Sequence, residues 1–333
     1  MKPSASPCDP AILAALRARA GGRSALNFAD FMEIVLYQPG IGYYRKAGPR
    51  VGRGAGTDFF TSTSSPLFGR LVVAACGDLL GGGPLSEYEF VEMGSEPGAG
   101  ILSGLAHPFR SQRQVRIGEP LKLGGKSIVF SNELFDAQPF RRFTCRAGAW
   151  HELGVSLGNG VLSETEIEGS MPPQLPSPAT EGYLIDAPLE SARLAGVIAG
   201  EPWEGLFLAF DYGKSWEEIA YATPQGTGRA YRHHVQGNDL LAHAGDQDLT
   251  CHVCWDWLSD ALATNGFETP RVESQEAFFA HHCSPMLGAL AHEEAGRLSR
   301  DKLSILQLLH PVHMGQRFQA LWAVRSARSV AGP

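Results

Sequence analysis

The sequence contains no apolar run close to the ~18 consecutive residues that a membrane-spanning helix requires. It also lacks an excess of positive charge, since 28 basic side chains stand against 35 acidic ones and give a net charge of −7. Proteins that bind the nucleic-acid backbone are usually basic, so we expect neither a nucleic-acid nor a membrane partner. The polar residues 1–10 contain no apolar core of a signal peptide, and we therefore expect a cytoplasmic protein. The alternative is a transit peptide that includes the mildly basic stretch Arg17–Arg23.

Cysteine is scarce, with six residues in the 333 of the chain. Only Cys251 and Cys254 lie close together, and a cytosolic chain of this length needs no disulfides. Together with His281–Cys283 this pair allows a zinc site, but a structural zinc site normally has two tight ligand pairs. The segment Leu249–Leu262 has a helical pattern, in which free cysteines serve as small core residues. We favour the core role and predict no metal.

The first part of the chain has the apolar spacing of helices. One helix is predicted around Ile12–Leu16, a second after the capping residue Asn27, and a third over residues 66–80. The glycine-rich loop before the third helix, residues 42–65, is long for a compact domain, and we expect it to belong to a site.

Gly81–Pro84 is the clearest linker, and the pattern changes after it. Short apolar runs then alternate with helices, which is typical of a mostly parallel sheet with helices on its faces. Alternation between Phe140 and Thr165 predicts an inserted β-hairpin. We therefore expect an N-terminal helical and lid region over residues 1–83. Residues 84–333 are predicted to form a Rossmann-like α/β domain with an insertion at about 140–180.

Polar or glycine residues follow three of the predicted strands. The strands are predicted at Tyr88–Met93, Gln114–Ile117, Lys126–Ser131 and Leu206–Phe210. The segments 92–94, 132–136 and 211–213 each come at the end of an apolar run. Open α/β sheets bind ligands beyond the carboxyl ends of their strands, so these segments are predicted to form one site.

The glycine-rich turn from Gly94 to Gly100 follows the first of these strands. It has neither the G-x-G-x-x-G spacing of dinucleotide-binding proteins nor the Lys-Ser/Thr of a phosphate-binding loop, which argues against a nicotinamide oxidoreductase. Gly94, Gly98 and Gly100 would let the backbone approach a nucleoside without Cβ clashes; an ordinary strand-to-helix turn is the alternative. Glu92 suits a cationic ligand such as S-adenosylmethionine, which carries an ammonium and a sulfonium group.

A series of short motifs follows one another in an order that resembles a known family. The motifs are Phe28–Met32, Leu36–Tyr44, Asp58–Ser62, Pro66–Gly69, Asn132–Pro139, Asp211–Gly213, Gly228–His234, Asp248–Val253, Ser274–Gln275 and Met314–Gly315. Over nearly its whole length the chain resembles the MidA-like S-adenosylmethionine-dependent methyltransferases, whose mitochondrial members are complex I assembly factors that dimethylate an arginine. The resemblance implies a class I methyltransferase fold, S-adenosylmethionine as cofactor and a protein substrate.

Two departures from the family pattern affect the cofactor half. Ser95–Glu96 is an insertion in the glycine turn, and only about a dozen residues separate Leu102 from Gln114. That stretch is too short for another strand and helix, so we expect a sheet shortened by one βα unit. Glu119 lies at the spacing typical of a carboxylate that binds the cofactor ribose, and it also fits a loop beside the adenine.

Glu133, Asp136 and Asp211 are the candidate catalytic residues. A carboxylate can hold an arginine in place because the guanidinium is always charged and its planar fork matches the two carboxylate oxygens. The alternatives are a helix cap for Glu133 and structural turns for the two aspartates. The resemblance further implies cofactor contacts from Thr61 and Asn132, in addition to Glu92, the three glycines and Glu119.

A protein arginine N-methyltransferase is therefore the leading hypothesis. The alternative is a degenerate scaffold that keeps the fold and binds a protein partner without catalysis, and the shortened cofactor half supports it. The sequence leaves a homodimer open.

Overall fold

The computed structural model describes residues 8–46, 65–95, 100–172, 174–293 and 300–326. These residues form two compact units, each built from separate stretches of the chain. Unit 1 takes its residues from 1–60, 135–192 and 214–254, and unit 2 from 61–134, 193–213 and 255–333.

The described residues form the following helices and strands. The helices are α1 (Pro10–Ala20), α2 (Phe28–Tyr37), α3 (Pro66–Leu79), α4 (Leu189–Gly200), α5 (Trp216–Tyr221), α6 (Trp255–Thr264), α7 (Gln275–His282), α8 (Ser284–Glu293) and α9 (Arg300–Leu309). The strands are β1 (Ala25–Asn27), β2 (Glu89–Met93), β3 (Ser111–Val115), β4 (Gly125–Asn132), β5 (Arg141–Arg146), β6 (Ala149–Ser156), β7 (Ser163–Ile167), β8 (Leu184–Ala187), β9 (Trp203–Asp211), β10 (Gly213–Lys214), β11 (Arg229–Arg232), β12 (Val235–Gly237), β13 (Asp248–Thr250), β14 (Val253–Cys254), β15 (Arg271–Ser274) and β16 (Gln319–Arg325). None of the described helices is long and apolar enough to cross a membrane.

Local signals explain where the first three helices begin and end. The side chain of Asn27 accepts a hydrogen bond from Asp30 N at 2.7 Å and so caps α2. Gly21, with φ of +58°, ends α1 in the left-handed region that glycine adopts without strain. Pro66 occupies the first turn of α3, where its missing N–H costs nothing. The three predicted helices are confirmed.

The main sheet lies in unit 2 and has six strands in the order β15-β16-β9-β4-β2-β3. β3, β2, β4 and β9 run parallel, whereas β16 is antiparallel to both β9 and β15. The chain goes from β2 outward to β3 and then back to β4 on the other side, so the strand order reverses between β2 and β4. In doubly wound sheets the ligand crevice lies at such a reversal. A single described strand, β3, lies outside β2, in agreement with the shortened sheet.

The core of unit 2 forms between this sheet and helices α3 and α7. Phe68 of α3 is fully buried, and its ring packs edge-on against Phe130 of β4, Phe210 of β9 and Phe279 of α7, with centroids 5.4 to 6.3 Å apart. Burying a side chain of this size contributes about 1.5–3 kcal/mol.

The domain boundary that we expected at residue 83 falls inside unit 2, because that unit includes residues 61–134. A separate helical and lid region over residues 1–83 stays a proposal.

Unit 1 contains the inserted hairpin, formed by β5 and β6 in an antiparallel sheet of order β1-β6-β5-β8, with β7 paired to β6. A buried ion pair stabilises it: Arg142 Nε donates to Asp186 Oδ1 at 2.7 Å. Asp186 Oδ2 in turn accepts hydrogen bonds from the backbone N–H groups of Thr227 and Gly228 at 2.8 and 2.7 Å. The carboxylate is thus fully bonded, as a buried charge must be.

The prediction that Cys251 and Cys254 lie within a helix is wrong. The segment before them forms β13, which pairs with β11, and the helix begins only at Trp255. Long-range strand pairing overrides the local helical pattern here. The predicted core role of the cysteines is confirmed, because both side chains are fully buried. Among the described residues, no group of three or more His, Cys, Asp or Glu side chains is placed to hold a metal ion.

Candidate cofactor and catalytic site

The ends of β2, β4 and β9 bring several predicted site residues to one edge of unit 2. Met93 pairs with Ser131, and Asn132 pairs with Phe210, so the three strands end at nearly the same level. The backbone N–H of Glu133 continues the pairing by donating to Phe210 O at 2.9 Å. The sheet register therefore places the first turn, Asn132, Glu133 and Asp211 together, as the sequence predicted.

Glu92 is buried and binds the far end of the glycine turn. Its two carboxylate oxygens lie 3.2 and 3.1 Å from Ile101 N, and its side chain also hydrogen-bonds Gln114 of β3. Burial raises the pKa of Glu92 to about 7, although the bonds from Ile101 and Gln114 act in the opposite direction. Glu92 thus joins the turn to the neighbouring strand, and a direct cofactor contact stays a prediction.

The raised pKa of Glu92 predicts a specific dependence of stability on pH. Because the folded pKa of about 7 exceeds the ordinary value of 4.5, the unfolded chain releases this proton at lower pH than the folded chain. Stability is then lost as the pH rises between these two values, by roughly 3 kcal/mol in total. Glu92→Gln lacks this loss. The free energy of unfolding of the variant minus that of wild type should therefore be larger at pH 8 than at pH 5. Denaturant unfolding at both pH values checks this, and parallel curves for the two proteins would contradict it.

Two glycines of the turn are packed closely by neighbouring side chains. A Cβ at Gly100 would lie 2.1 Å from Gln114 Nε2 and 2.8 Å from Glu92 Oε2. A Cβ at Gly94, where φ is +76°, would lie 2.7 Å from Leu134 Cδ1. No side chain other than hydrogen fits at either position without displacing its neighbours.

Two buried polar atoms near these glycines are available to a ligand. Ser95 Oγ and Asn132 Oδ1 are both buried without a hydrogen-bond partner among the described residues. Such atoms normally find a partner, because leaving one unpaired costs about 1–3 kcal/mol. Two buried polar atoms that bond to no described residue, beside a glycine turn, fit a nucleoside cofactor.

Glu133 has the most unusual backbone of the site residues. Its φ of +51° lies in the left-handed region, which costs a residue other than glycine about 1–2 kcal/mol. Its Oε1 accepts a hydrogen bond from Asn132 Nδ2 at 2.8 Å, so the carboxylate is oriented by its neighbour. A strained residue with an oriented charge indicates that the side chain, rather than the backbone, is needed here.

The other candidates are distributed over both units. Asp211 is fully buried, and its Oδ1 accepts a hydrogen bond from Tyr212 N at 2.9 Å, which fits the alternative of a turn aspartate. Glu119 is exposed and closes the turn after β3, since its Oε2 accepts from Arg116 N at 2.9 Å. Asp136 is buried in unit 1. Thr61 and Gly98 lie outside the described residues.

One residue of the site was not identified as functional from the sequence. A Cβ on Gly69 of α3 would lie 2.2 Å from Ile101 O and 2.7 Å from Leu105 Cδ1, so the helix lies directly on the segment that follows the glycine turn. Gly69 ends one of the motifs on which the family resemblance rests, and that motif is the signal that could have identified it.

Comparison with known proteins supports the class that this geometry defines. Residues 112–272 match a family described as "Putative S-adenosyl-L-methionine-dependent methyltransferase". The mitochondrial "Protein arginine methyltransferase NDUFAF7 homolog" of Drosophila melanogaster is 25% identical over 75% of this chain and 70% of its own length. The mitochondrial "Protein arginine methyltransferase NDUFAF7" of Danio rerio is 24% identical over 98% of this chain and 89% of its own length.

Solved structures show the same fold. A Burkholderia thailandensis protein crystallised with S-adenosyl-homocysteine superimposes with a TM-score of 0.80 and 23% identity, covering 95% of this chain and 94% of that one. A second crystal structure from the same organism gives a TM-score of 0.76 at 22% identity with the same coverage.

The protein has the fold of the class I methyltransferases and is an S-adenosylmethionine-dependent methyltransferase. The resemblance to the MidA-like methyltransferases and the expectation of S-adenosylmethionine as cofactor are confirmed. The expectation of a cytoplasmic protein has no support from these comparisons, because both curated relatives are named as mitochondrial.

Proposed function

We propose that the protein methylates an arginine side chain of a protein substrate. The names of the two curated relatives support arginine as the acceptor. The observation that carries the proposal is Glu133, a carboxylate at the end of β4 that is held by Asn132 on a strained backbone. A guanidinium is permanently charged and binds a carboxylate through two parallel hydrogen bonds, so such a carboxylate suits this acceptor better than it suits a neutral one.

The cofactor-binding role belongs to the turn after β2. The backbone at Gly94 and Gly100, the hydroxyl of Ser95 and the amide oxygen of Asn132 would hold the cofactor, which supplies a methyl group on a sulfonium when bound. Glu92 keeps this turn against β3 through Ile101 N. Thr61, Gly98 and Glu119 remain proposed contacts: Thr61 follows from the family resemblance, Gly98 from the glycine turn and Glu119 from its spacing after that turn.

Glu133 and Asp136 divide the work on the substrate in this proposal. Glu133 holds the guanidinium and directs one nitrogen, which is a contribution of positioning and electrostatics rather than of covalent chemistry. Asp136 provides a second negative charge on the same loop, and Asp211 faces the substrate from the end of β9. No role in binding nucleic acid or a membrane is proposed.

Location and assembly are separate proposals. The sequence favours the cytoplasm, whereas the curated relatives are named as mitochondrial, and imaging of the tagged full chain decides between the two. A homodimer would appear as a doubled mass in light scattering.

Calorimetry and methyl transfer together test the proposed function. We expect S-adenosylmethionine and S-adenosyl-homocysteine to bind, and we expect a library of arginine-containing peptides to yield methylarginine in mass spectrometry. Matched peptides with lysine in place of arginine should remain unmodified. Cofactor binding with transfer only to lysine would overturn the choice of acceptor. Absence of binding heat with either ligand would favour the degenerate scaffold.

A further inference from the structure

The backbone around Asp136 is held by three hydrogen bonds within unit 1. Ser191 Oγ donates to Phe135 O at 2.6 Å, Cys251 N donates to Asp136 O at 2.9 Å, and Tyr37 OH donates to Ala137 O at 2.6 Å. Three successive carbonyl groups are therefore fixed by three separate parts of the chain. The first two bonds fix the two peptide planes that flank Asp136, and the bond from Tyr37 fixes the plane that follows them. Together they restrict the direction of the Asp136 side chain, because Cβ moves with the backbone on either side of it.

Tyr37 is itself oriented by further contacts. It is the last residue of α2, and its ring stacks on that of Tyr44 with centroids 5.5 Å apart and planes at 13°. Tyr44 OH donates to Asp248 Oδ1 of β13 at 2.7 Å. Burial raises the pKa of both tyrosines, and Asp248 and Asp136 raise it further. Both hydroxyls therefore remain protonated donors at neutral pH.

We propose that Tyr37 is a positioning residue, which sets the direction of Asp136 through the carbonyl of Ala137. The assignment rests on the proposed function, in which Asp136 acts on the substrate arginine. Tyr37 acts on the substrate only through Asp136, and Tyr44 and Asp248 keep its hydroxyl on the carbonyl. Tyr37→Phe removes the donor and leaves the stacked ring, so the fold of α2 is retained.

A double-mutant cycle tests this assignment on the full-length protein, with the best arginine peptide of the library as substrate. Tyr37→Phe should lower kcat/KM by about tenfold, since a small misplacement of a positioning group is costly. In the Asp136→Asn background, Tyr37→Phe should lower kcat/KM by less than about twofold, because the effects of two substitutions are not additive when one residue acts through the other. The affinity for S-adenosyl-homocysteine, measured by calorimetry, should not change.

Tyr183→Phe is the matched control. Tyr183 is a buried tyrosine of unit 1 whose hydroxyl also donates to a backbone carbonyl, that of Ile219, at 3.1 Å. Tyr183→Phe should destabilise the protein at least as much as Tyr37→Phe, since it also leaves Thr223 N without its acceptor. Its kcat/KM should equal that of wild type. An equal loss of activity in both variants would show that Tyr37 is merely structural and would overturn the assignment.

The remaining outcomes separate this inference from the function on which it rests. Additive losses from Tyr37→Phe and Asp136→Asn overturn the positioning role and leave the methyltransferase proposal intact. Full activity of Asp136→Asn removes Asp136 from the substrate site, and the role of Tyr37 falls with it. If wild type binds the cofactor and methylates no arginine peptide, arginine is not the acceptor. The proposed function is then rejected, and the positioning role that rests on it is rejected as well.

Discussion

Glu133→Gly is expected to lower kcat by roughly 100-fold or more while leaving the protein at least as stable as wild type. The loss of activity follows if the carboxylate holds the guanidinium in the transition state. The gain in stability follows because φ is +51° at this position, and glycine adopts that conformation without the steric cost of a Cβ. The relief should be about 1 kcal/mol, measured as the free energy of unfolding in denaturant.

Two companion variants make the result specific. Glu133→Gln keeps the shape of the side chain and an acceptor for Asn132 Nδ2, so it should lose activity and retain cofactor affinity. Ala147→Gly gives the same backbone relief, since Ala147 has φ of +49° in the exposed turn between β5 and β6, and its activity should not change. Full activity of both Glu133 variants would remove the residue from the catalytic site.

Gly69→Ala should destabilise unit 2 and weaken cofactor binding together. The new Cβ would lie 2.2 Å from the backbone oxygen of Ile101, and neither the helix nor the backbone of the turn can avoid it by rotating a side chain. Overpacking of this kind costs about 1–3 kcal/mol. Since Ile101 N is the donor to Glu92, a shift at this point disturbs the whole turn, and we expect the affinity for S-adenosyl-homocysteine to fall about tenfold, which corresponds to 1.4 kcal/mol.

Gly77→Ala on the same helix is the control for that variant. A Cβ at Gly77 meets only Leu85 Cδ1, at an ordinary contact distance of 3.8 Å. Replacing glycine by alanine inside a helix should then stabilise the protein by about 0.5–1 kcal/mol. Calorimetry should find unchanged cofactor affinity in Gly77→Ala. Unchanged affinity in Gly69→Ala would mean that the contact between α3 and Ile101 does not shape the cofactor site.

Features that depend on a few neighbouring residues were predicted well from the sequence. The cap at Asn27, the end of α1 at Gly21 and the start of α3 at Pro66 each follow from the conformational preference of one residue. The apolar runs of β2, β4 and β9 were equally clear, because a strand buried on both faces is apolar at most positions. Since the ligand edge of such a sheet lies at its carboxyl ends, Glu92, Asn132 and Glu133 could be predicted as site residues.

Features that depend on distant pairing could not be predicted in this way. β3 begins at Ser111, three residues before the expected start, because its register is set by β2 and not by its own weak pattern. Helices α4, α5 and α7 to α9 were not predicted, and the Cys251 segment was predicted to be helical, because the conformation of these segments is decided by the residues they pack against. The path of the chain between two units could not be derived from the glycine-rich linker at 81–84.

The amino-acid sequence by itself determined the class of protein and predicted the loop that we propose as its catalytic site, because motifs and strand ends are local. Only the tertiary structure decided the conformation and the hydrogen bonds of the predicted site residues. Glu133 has a left-handed backbone conformation in unit 2, and Asp136 belongs to unit 1. Glu92 accepts a hydrogen bond from the backbone N–H of Ile101. Those outcomes depend on hydrogen bonds and close approaches between residues far apart in the chain, and no local pattern contains them.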